Sequence, residues 1–243
     1  MRWIESLRLQ IRARKYERKN DPGGIAYLKL TIQPGQTVFD VGAHKAGYLY
    51  FMLQRTGAKG TVVAFEPQPG LFHYLQQLRQ QLDWSNVQLE PLALSDEAGS
   101  TTLYVPDQTD DSGASPGATI VKEIGIAGFQ AAGAVQTDTL DAYCERHHLQ
   151  PHFLKIDVEG NELNVLKGGQ ATLLRCRPKI LVEIEARHVG EETALATFDY
   201  LQGLGYKGYF IFGTEKLPLS VFNFEKHQQP GKSIPYCNNF VFE

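Results

Sequence analysis

The chain has 243 residues, 42% of them hydrophobic, and a formal net charge of −3. That length holds one large domain, or a domain with a modest extra piece, and enough apolar residues to bury a full sheet. The weak negative charge gives no electrostatic ground for a nucleic-acid partner.

Cys144, Cys176 and Cys237 lie far apart without metal-type spacing, which predicts reduced thiols, no zinc site and a cytoplasmic location. No apolar run reaches bilayer-spanning length, and the first residues lack the uninterrupted apolar segment of a secretory signal.

Residues 1–20 hold seven basic side chains (Arg2, Arg8, Arg12, Arg14, Lys15, Arg18 and Lys19) against Glu5 and Glu17. Ile4, Leu7 and Ile11 share one helical face with Trp3 beside them, so an amphipathic helix is expected to pack on its own domain. Peripheral membrane contact is the disfavoured alternative. The turn cluster Asn20-Asp21-Pro22-Gly23-Gly24 separates this arm, residues 1–24, from a body of residues 25–243.

Beyond the breaker Pro34-Gly35, Thr37-Val38-Phe39-Asp40-Val41 forms a strand that runs into Gly42-Ala43-His44-Lys45-Ala46-Gly47. A helical apolar pattern then begins at Tyr48. Thr61–Phe65 is a second strand closing with Glu66-Pro67, and Leu71, Leu75, Leu78 and Leu82 keep helical spacing over roughly residues 69–82. Residues 86–89 form a short third strand, followed by Ala93-Leu94-Ser95-Asp96. The rhythm breaks over residues 99–136, where a strand at 101–105 precedes a Gly/Ser/Pro/Asp-rich loop from Pro106 to Gly117; such an insertion is usually functional or mobile. Asp138 is placed to cap the helix carrying Leu140, Tyr143, Cys144 and His147.

Alternation resumes with Phe153-Leu154-Lys155-Ile156-Asp157-Val158-Glu159-Gly160, then a helix with Leu163, Leu166 and Leu173. A fifth strand, Lys179 to Glu185, leads through Arg187-His188 to a helix over residues 193–204. Tyr206–Phe212 and Cys237–Phe242 suit an antiparallel edge, their aromatics serving as core. The whole predicts a doubly wound α/β fold around a mainly parallel seven-stranded sheet with antiparallel C-terminal strands.

Asp40, Glu66, Asp157 with Glu159, and Glu183 with Glu185 fall at strand ends, where an open parallel sheet binds cofactors. A carboxylate ending the second strand suits ribose hydroxyls. Asp40 occupies the place of the first glycine in a dinucleotide fingerprint; an acid there repels a pyrophosphate and attracts a cation such as S-adenosylmethionine. A nicotinamide-dependent oxidoreductase is thereby disfavoured.

Asp40-Val41-Gly42-Ala43-His44-Lys45, Phe65-Glu66-Pro67, Leu92-Ala93-Leu94-Ser95-Asp96, Leu154 to Glu162 and Asn238-Asn239-Phe240 together resemble the FkbM family of S-adenosylmethionine-dependent methyltransferases. The resemblance implies a Rossmann-like class I methyltransferase fold and transfer of a methyl group to a hydroxyl of a small molecule, sugar or glycan. It places Gly42 and Ala43 along the methionine moiety, with His44, Gly47, Pro67 and Ser95 as further cofactor-binding residues. Glu66 falls at the ribose, Asp96 at the adenine amino group, and Asp157 facing the reacting methyl.

Ala46 departs from the family, which usually has glycine there, and is the one support for a non-catalytic cofactor-binding domain. For removal of the acceptor proton, His188 is the best-placed imidazole, with Glu185 beside it. No metal is predicted; the weak alternative is Mg²⁺ held by Asp157, Glu159 and Glu185. Duller roles are a Lys155–Asp157 ion pair and helix capping by Glu159 and Glu162.

Overall fold

A computed structural model describes residues 2–107, 115, 117–121, 128–229 and 235–243, and the side chains among them from residue 5 onward. The chain begins with α1 (Arg2–Lys15), a π-helical turn (Tyr16–Asn20) and α2 (Pro22–Thr31). Then come β1 (Thr37–Val41), α3 (Gly47–Thr56), β2 (Thr61–Phe65), α4 (Pro69–Leu82) and β3 (Val87–Glu90). Three strands follow, β4 (Leu92–Leu94), β5 (Gly99–Pro106) and β6 (Phe129–Asp138). The second half is α5 (Leu140–Arg146), β7 (Phe153–Ile156), α6 (Glu162–Lys167), α7 (Gln170–Cys176), β8 (Lys179–Glu183), α8 (Ala186–Gly203), β9 (Gly208–Phe212), β10 (Glu215–Pro218), α9 (Phe224–His227) and β11 (Asn239–Phe242).

The main sheet has the order β10-β9-β11-β8-β7-β1-β2-β3. β3, β2, β1, β7 and β8 are parallel, as expected, and β11 is antiparallel to both β8 and β9. The seven anticipated strands become eight because Glu215–Pro218 folds back on β9 through a hairpin at Gly213 (φ +64°). Glu-Lys-Leu-Pro carries no strand signal of its own; the turn glycine and the partner strand supply it.

The chain leaves β1 toward β2 on one side and returns to β7 on the other, so the topological switch lies between β1 and β7. Alternation sends Val38, Val62, Leu181 and Val241 to a core shared with α1–α4, and Phe39, Val63, Ile156 and Val182 to a core shared with α5–α8. This makes the three-layer, doubly wound architecture expected from the sequence.

The insertion makes its own three-stranded sheet, β4-β6-β5, over a small core of Leu103, Val105 and Val135. Most of the loop from Pro106 to Gly117 lies outside the described residues. Asp138 is not the helix cap: the Thr139 hydroxyl accepts the Ala142 N–H at 3.1 Å, while Asp138 accepts the Thr139 N–H at 2.8 Å and pairs with Arg146. The helix after β8 begins at Ala186, earlier than residue 193, and bends at Gly190 (φ +79°), which puts His188 in its first turn.

The arm packs on α3 and α4, but through a different face from the one expected. Leu9 and Ala13 are buried, and the Arg12 guanidinium bonds Tyr74 and lies 5.2 Å from its ring centre. Leu7 and Ile11 are 47% and 60% exposed; Trp3 and Ile4 side chains lie outside the described residues. The wider apolar stripe loses to the face where a small Ala13 lets the helix approach closely. Among the described residues, no helix is long and apolar enough to cross a membrane.

Candidate active site

A cavity of about 330 Å³ opens at the switch point, over the carboxyl ends of β1, β2 and β7. Its rim is the turn after β1. Gly42 has φ +88°, and a Cβ there would stand 1.9 Å from the Asp157 carbonyl oxygen, so only glycine lets β1 and the end of β7 come together. The Gly42 and Ala43 N–H groups both donate to the Phe65 carbonyl, at 3.1 and 3.0 Å. Ala46 occupies the left-handed region (φ +65°) at the N-terminus of α3. An L-residue there costs about 1–2 kcal/mol, and full burial of Ala46 compensates in part.

Register places Asp40 beside Lys155 across β1 and β7. Asp40 is buried, its Oδ2 has no hydrogen-bond partner among the described residues, and burial pushes its carboxyl up to about 7. Lys155, fully buried two residues before Asp157, forms the anticipated ion pair, with Nζ 3.3 Å from Asp157 and 4.0 Å from Glu183. Nζ also lies 4.8 Å from the centre of the Tyr48 ring. Burial opposes the lysine's charge, yet the surrounding Asp157, Glu183, Asp21 and Asp40 hold it above its ordinary value.

Glu66 is oriented by two backbone donors, the His44 N–H at 2.8 Å on Oε2 and the Gln68 N–H at 2.9 Å on Oε1. Burial raises its carboxyl to about 7 against those two bonds. Each carboxylate oxygen keeps a lone pair for a ligand hydroxyl. Pro67 lines the cavity next to it.

The other half of the cavity is apolar, walled by Leu92, Ala93, Leu94, Leu103, Ala118 and Ile120. The insertion therefore forms a wall of the site. Gln68 ties it down through Nε2 to the Ser115 carbonyl at 3.0 Å and Oε1 from the Ser115 N–H at 3.1 Å. Ser95 and Asp96 border a neighbouring groove, which shares Ile120 and Asn161 with the main cavity. Ser95 is buried there and Asp96 exposed, the two joined at 3.1 Å.

His188 and Glu185 also lie outside the main cavity, in a small cleft reached through Asp157, Glu159 and Glu183. His188 Nδ1 is 3.3 Å from Glu159, and burial lowers its pKa, so the imidazole is neutral near pH 7. Glu159 is pushed up to about 8, first by burial and then by Asp157. Glu185 is engaged with Arg187 and with the Tyr236 hydroxyl at 3.1 Å. Asp157, Glu159 and Glu185 thus face three different partners, and among the described residues no three metal-ligating side chains converge. The geometry does not favour the Mg²⁺ alternative. Glu162, far from solvent, accepts the Val158 and Gly160 N–H groups at 3.1 Å each, so it braces the turn before α6, and the Asn161 N-cap makes no side-chain cap bond.

Glu183, one of the strand-end acids, lines the cavity as well, and so do Tyr16, Asn20 and Gln68, which the sequence had not singled out. Gln68 follows Glu66-Pro67 directly, and that adjacency was the available signal. Tyr16 and Asn20 had none, because their place depends on how the arm docks.

The sequence profile described as the methyltransferase FkbM domain matches residues 40–207. Among solved structures, an FkbM methyltransferase from Methylobacillus flagellatus KT is 16% identical with a TM-score of 0.54, over 90% of this chain and 50% of that one. This chain thus spans half the length of that relative. A SAM dependent methyltransferase from Aquifex aeolicus is 14% identical with a TM-score of 0.48, over 95% and 96% of the two chains. Aeropyrum pernix fibrillarin, in complex with natively bound S-adenosyl-L-methionine, is 12% identical with a TM-score of 0.46, over 90% and 72%. No curated protein matches the sequence. With a profile covering more than half its length and a doubly wound sheet to carry it, the chain belongs to the FkbM methyltransferase family.

Proposed function

We propose that the cleft binds S-adenosylmethionine and transfers its methyl group to a hydroxyl of a small-molecule or carbohydrate acceptor. The observation that carries this reading is Asp40: a buried carboxylate with an unpartnered oxygen, at the switch point, where a cation is favoured and a pyrophosphate repelled. The same charge speaks against a nicotinamide cofactor. Glu66 would take the ribose hydroxyls, the apolar wall of Leu92, Leu94 and Ile120 the adenine, and Gly42 and Ala43 the methionine chain.

When bound, the cofactor supplies an electrophilic methyl on a sulfonium that leaves as a neutral thioether. The protein's part is alignment and exclusion of water. Asp157, fixed by Lys155, stands where the cavity meets the small cleft and orients the acceptor. The neutral imidazole of His188 accepts the acceptor's proton, with Glu159, which burial keeps protonated near pH 7, standing 3.3 Å from it at the mouth of the cavity. Glu185 holds Arg187 and Tyr236 beside this pair rather than reaching the cavity. The free thiols of Cys144, Cys176 and Cys237 are in keeping with a cytoplasmic setting.

Calorimetric titration with S-adenosylmethionine and with NAD⁺ tests the cofactor: binding of the first alone is expected, and binding of NAD⁺ alone overturns the reading. Mass spectrometry of metabolite extracts incubated with a labelled methyl donor then identifies the acceptor as the compound that gains label.

A further inference from the structure

The family profile begins at residue 40, yet two residues well before it, Tyr16 and the exposed Asn20, line the cavity. Both belong to the π-helical turn at the end of the arm, an irregularity common at functional sites. The turn is held in place from several directions. Its Tyr16 carbonyl accepts the Asp21 N–H at 2.9 Å. The Tyr16 ring meets the Tyr48 ring edge-on, centres 5.8 Å apart, and lies over Gly47, where an added Cβ would touch it at 3.4 Å. The Asp21 carboxylate accepts from the Tyr48 hydroxyl and, at 3.0 Å, from Asn239 Nδ2, while Asn238 bonds Glu183 in the cavity wall.

The floor beneath this turn is acidic. Alternation brings Asp40, Lys155 and Glu183 to one sheet face, with Asp157 just beyond. Acids suit the ammonium and sulfonium of the methyl donor but repel the carboxylate of its amino-acid end, which needs hydrogen-bond donors. The Lys155 ammonium is shared between Asp157 and Glu183, and the Tyr48 hydroxyl is taken by Asp21. The Tyr16 hydroxyl and the Asn20 amide make no hydrogen bond among the described residues. Burial, reinforced by Asp157 and Glu183, raises the Tyr16 phenol above its ordinary value and keeps it a donor.

The geometry points to a carboxylate subsite outside the family domain: Tyr16 and Asn20 of the arm bind the amino-acid end of the methyl donor and close the polar end of the cleft over it. This rests on the methyl-donor reading above. The arm is then part of the cofactor site rather than an appendage.

Calorimetry with S-adenosylhomocysteine and with methylthioadenosine, which lacks the amino-acid end, tests the subsite on the full chain. Tyr16→Phe keeps the ring on Gly47 and removes only the hydroxyl; Asn20→Ala removes the amide from an exposed rim position. Each variant is expected to weaken S-adenosylhomocysteine about tenfold while methylthioadenosine changes less than about twofold, with the thermal midpoint unmoved. Unchanged S-adenosylhomocysteine affinity in both variants overturns the subsite, as does an equal loss for both ligands. A wild-type protein that binds neither ligand overturns the methyl-donor reading itself, and the inference with it.

Discussion

Glu66 is held ready before any ligand arrives, because the backbone N–H groups of His44 and Gln68 fix both of its oxygens. Its lone pairs are left aimed at the cavity, so Glu66→Ala is expected to cost about 1–3 kcal/mol of S-adenosylhomocysteine affinity, the usual loss for charged hydrogen bonds. Isothermal titration measures this directly; an unaltered affinity would put the ribose elsewhere. His188 sits one side chain further back, behind Glu159. His188→Ala should therefore leave cofactor binding intact and lower methyl transfer by about 10²-fold, the low end of general-base effects. A wild-type rate in a labelled-methyl assay would remove the imidazole from the mechanism. The two variants separate binding from chemistry.

Among the elements, the arm and α2 meet the sheet at one residue. Asp21 caps α2 by accepting the Gly24 N–H at 2.8 Å and also takes bonds from Tyr48 on α3 and Asn239 on β11. Asp21→Ala removes a cap and leaves two buried donors unsatisfied, for an expected loss of about 2–4 kcal/mol in urea unfolding. The same variant should make the peptide bonds of residues 1–24 cleavable by trypsin, given the arm's many basic residues, under conditions where the wild type resists. An arm equally resistant in the variant would show that Leu9, Ala13 and the Arg12–Tyr74 contact suffice to hold it.

At the scale of the molecule, the site stores a cluster of acids whose ionisation the fold opposes. Asp40, Glu66 and Glu162 are raised to about 7 and Glu159 to about 8, in each case chiefly by burial. Between the ordinary carboxylate values and these raised ones the folded chain keeps protons that the unfolded chain has released, so this contribution is full below about pH 4, falls from there and is gone above about pH 8. His188 and His227 are lowered by burial and act in the opposite sense, below their ordinary 6.5. The four acids outnumber the two histidines, so the melting midpoint of the ligand-free protein is expected to fall between about pH 4.5 and 8. S-adenosylmethionine should restore it most at the upper end, where ionised Asp40 meets a cation. Scanning calorimetry across that range checks both, and a flat profile would mean the acids are paired or solvated in solution.

Local chemistry wrote the centre of this site into the sequence. Strand alternation running into Asp40-Val41-Gly42, Phe65-Glu66 and Ile156-Asp157 marks three adjacent strand ends, and a parallel sheet brings such ends together whatever else the chain does. The five parallel strands, the antiparallel C-terminal pair and the family resemblance were legible for the same reason. Other features depend on contacts between distant segments. Asp21 and Asn239 stand 218 residues apart and are joined only by the closed sheet; Gln68 reaches Ser115 across 47 residues. Which face of α1 turns inward was decided by its fit to α3 and α4, so Leu9 and Ala13 are buried where Leu7 and Ile11 had the stronger pattern. By itself the sequence determined the fold class and the acids under the cleft, because turn and alternation signals are local; the tertiary structure alone decided that it is Tyr16 and Asn20 through which the arm lines that cleft, because helix docking is set by packing between surfaces that no local signal encodes.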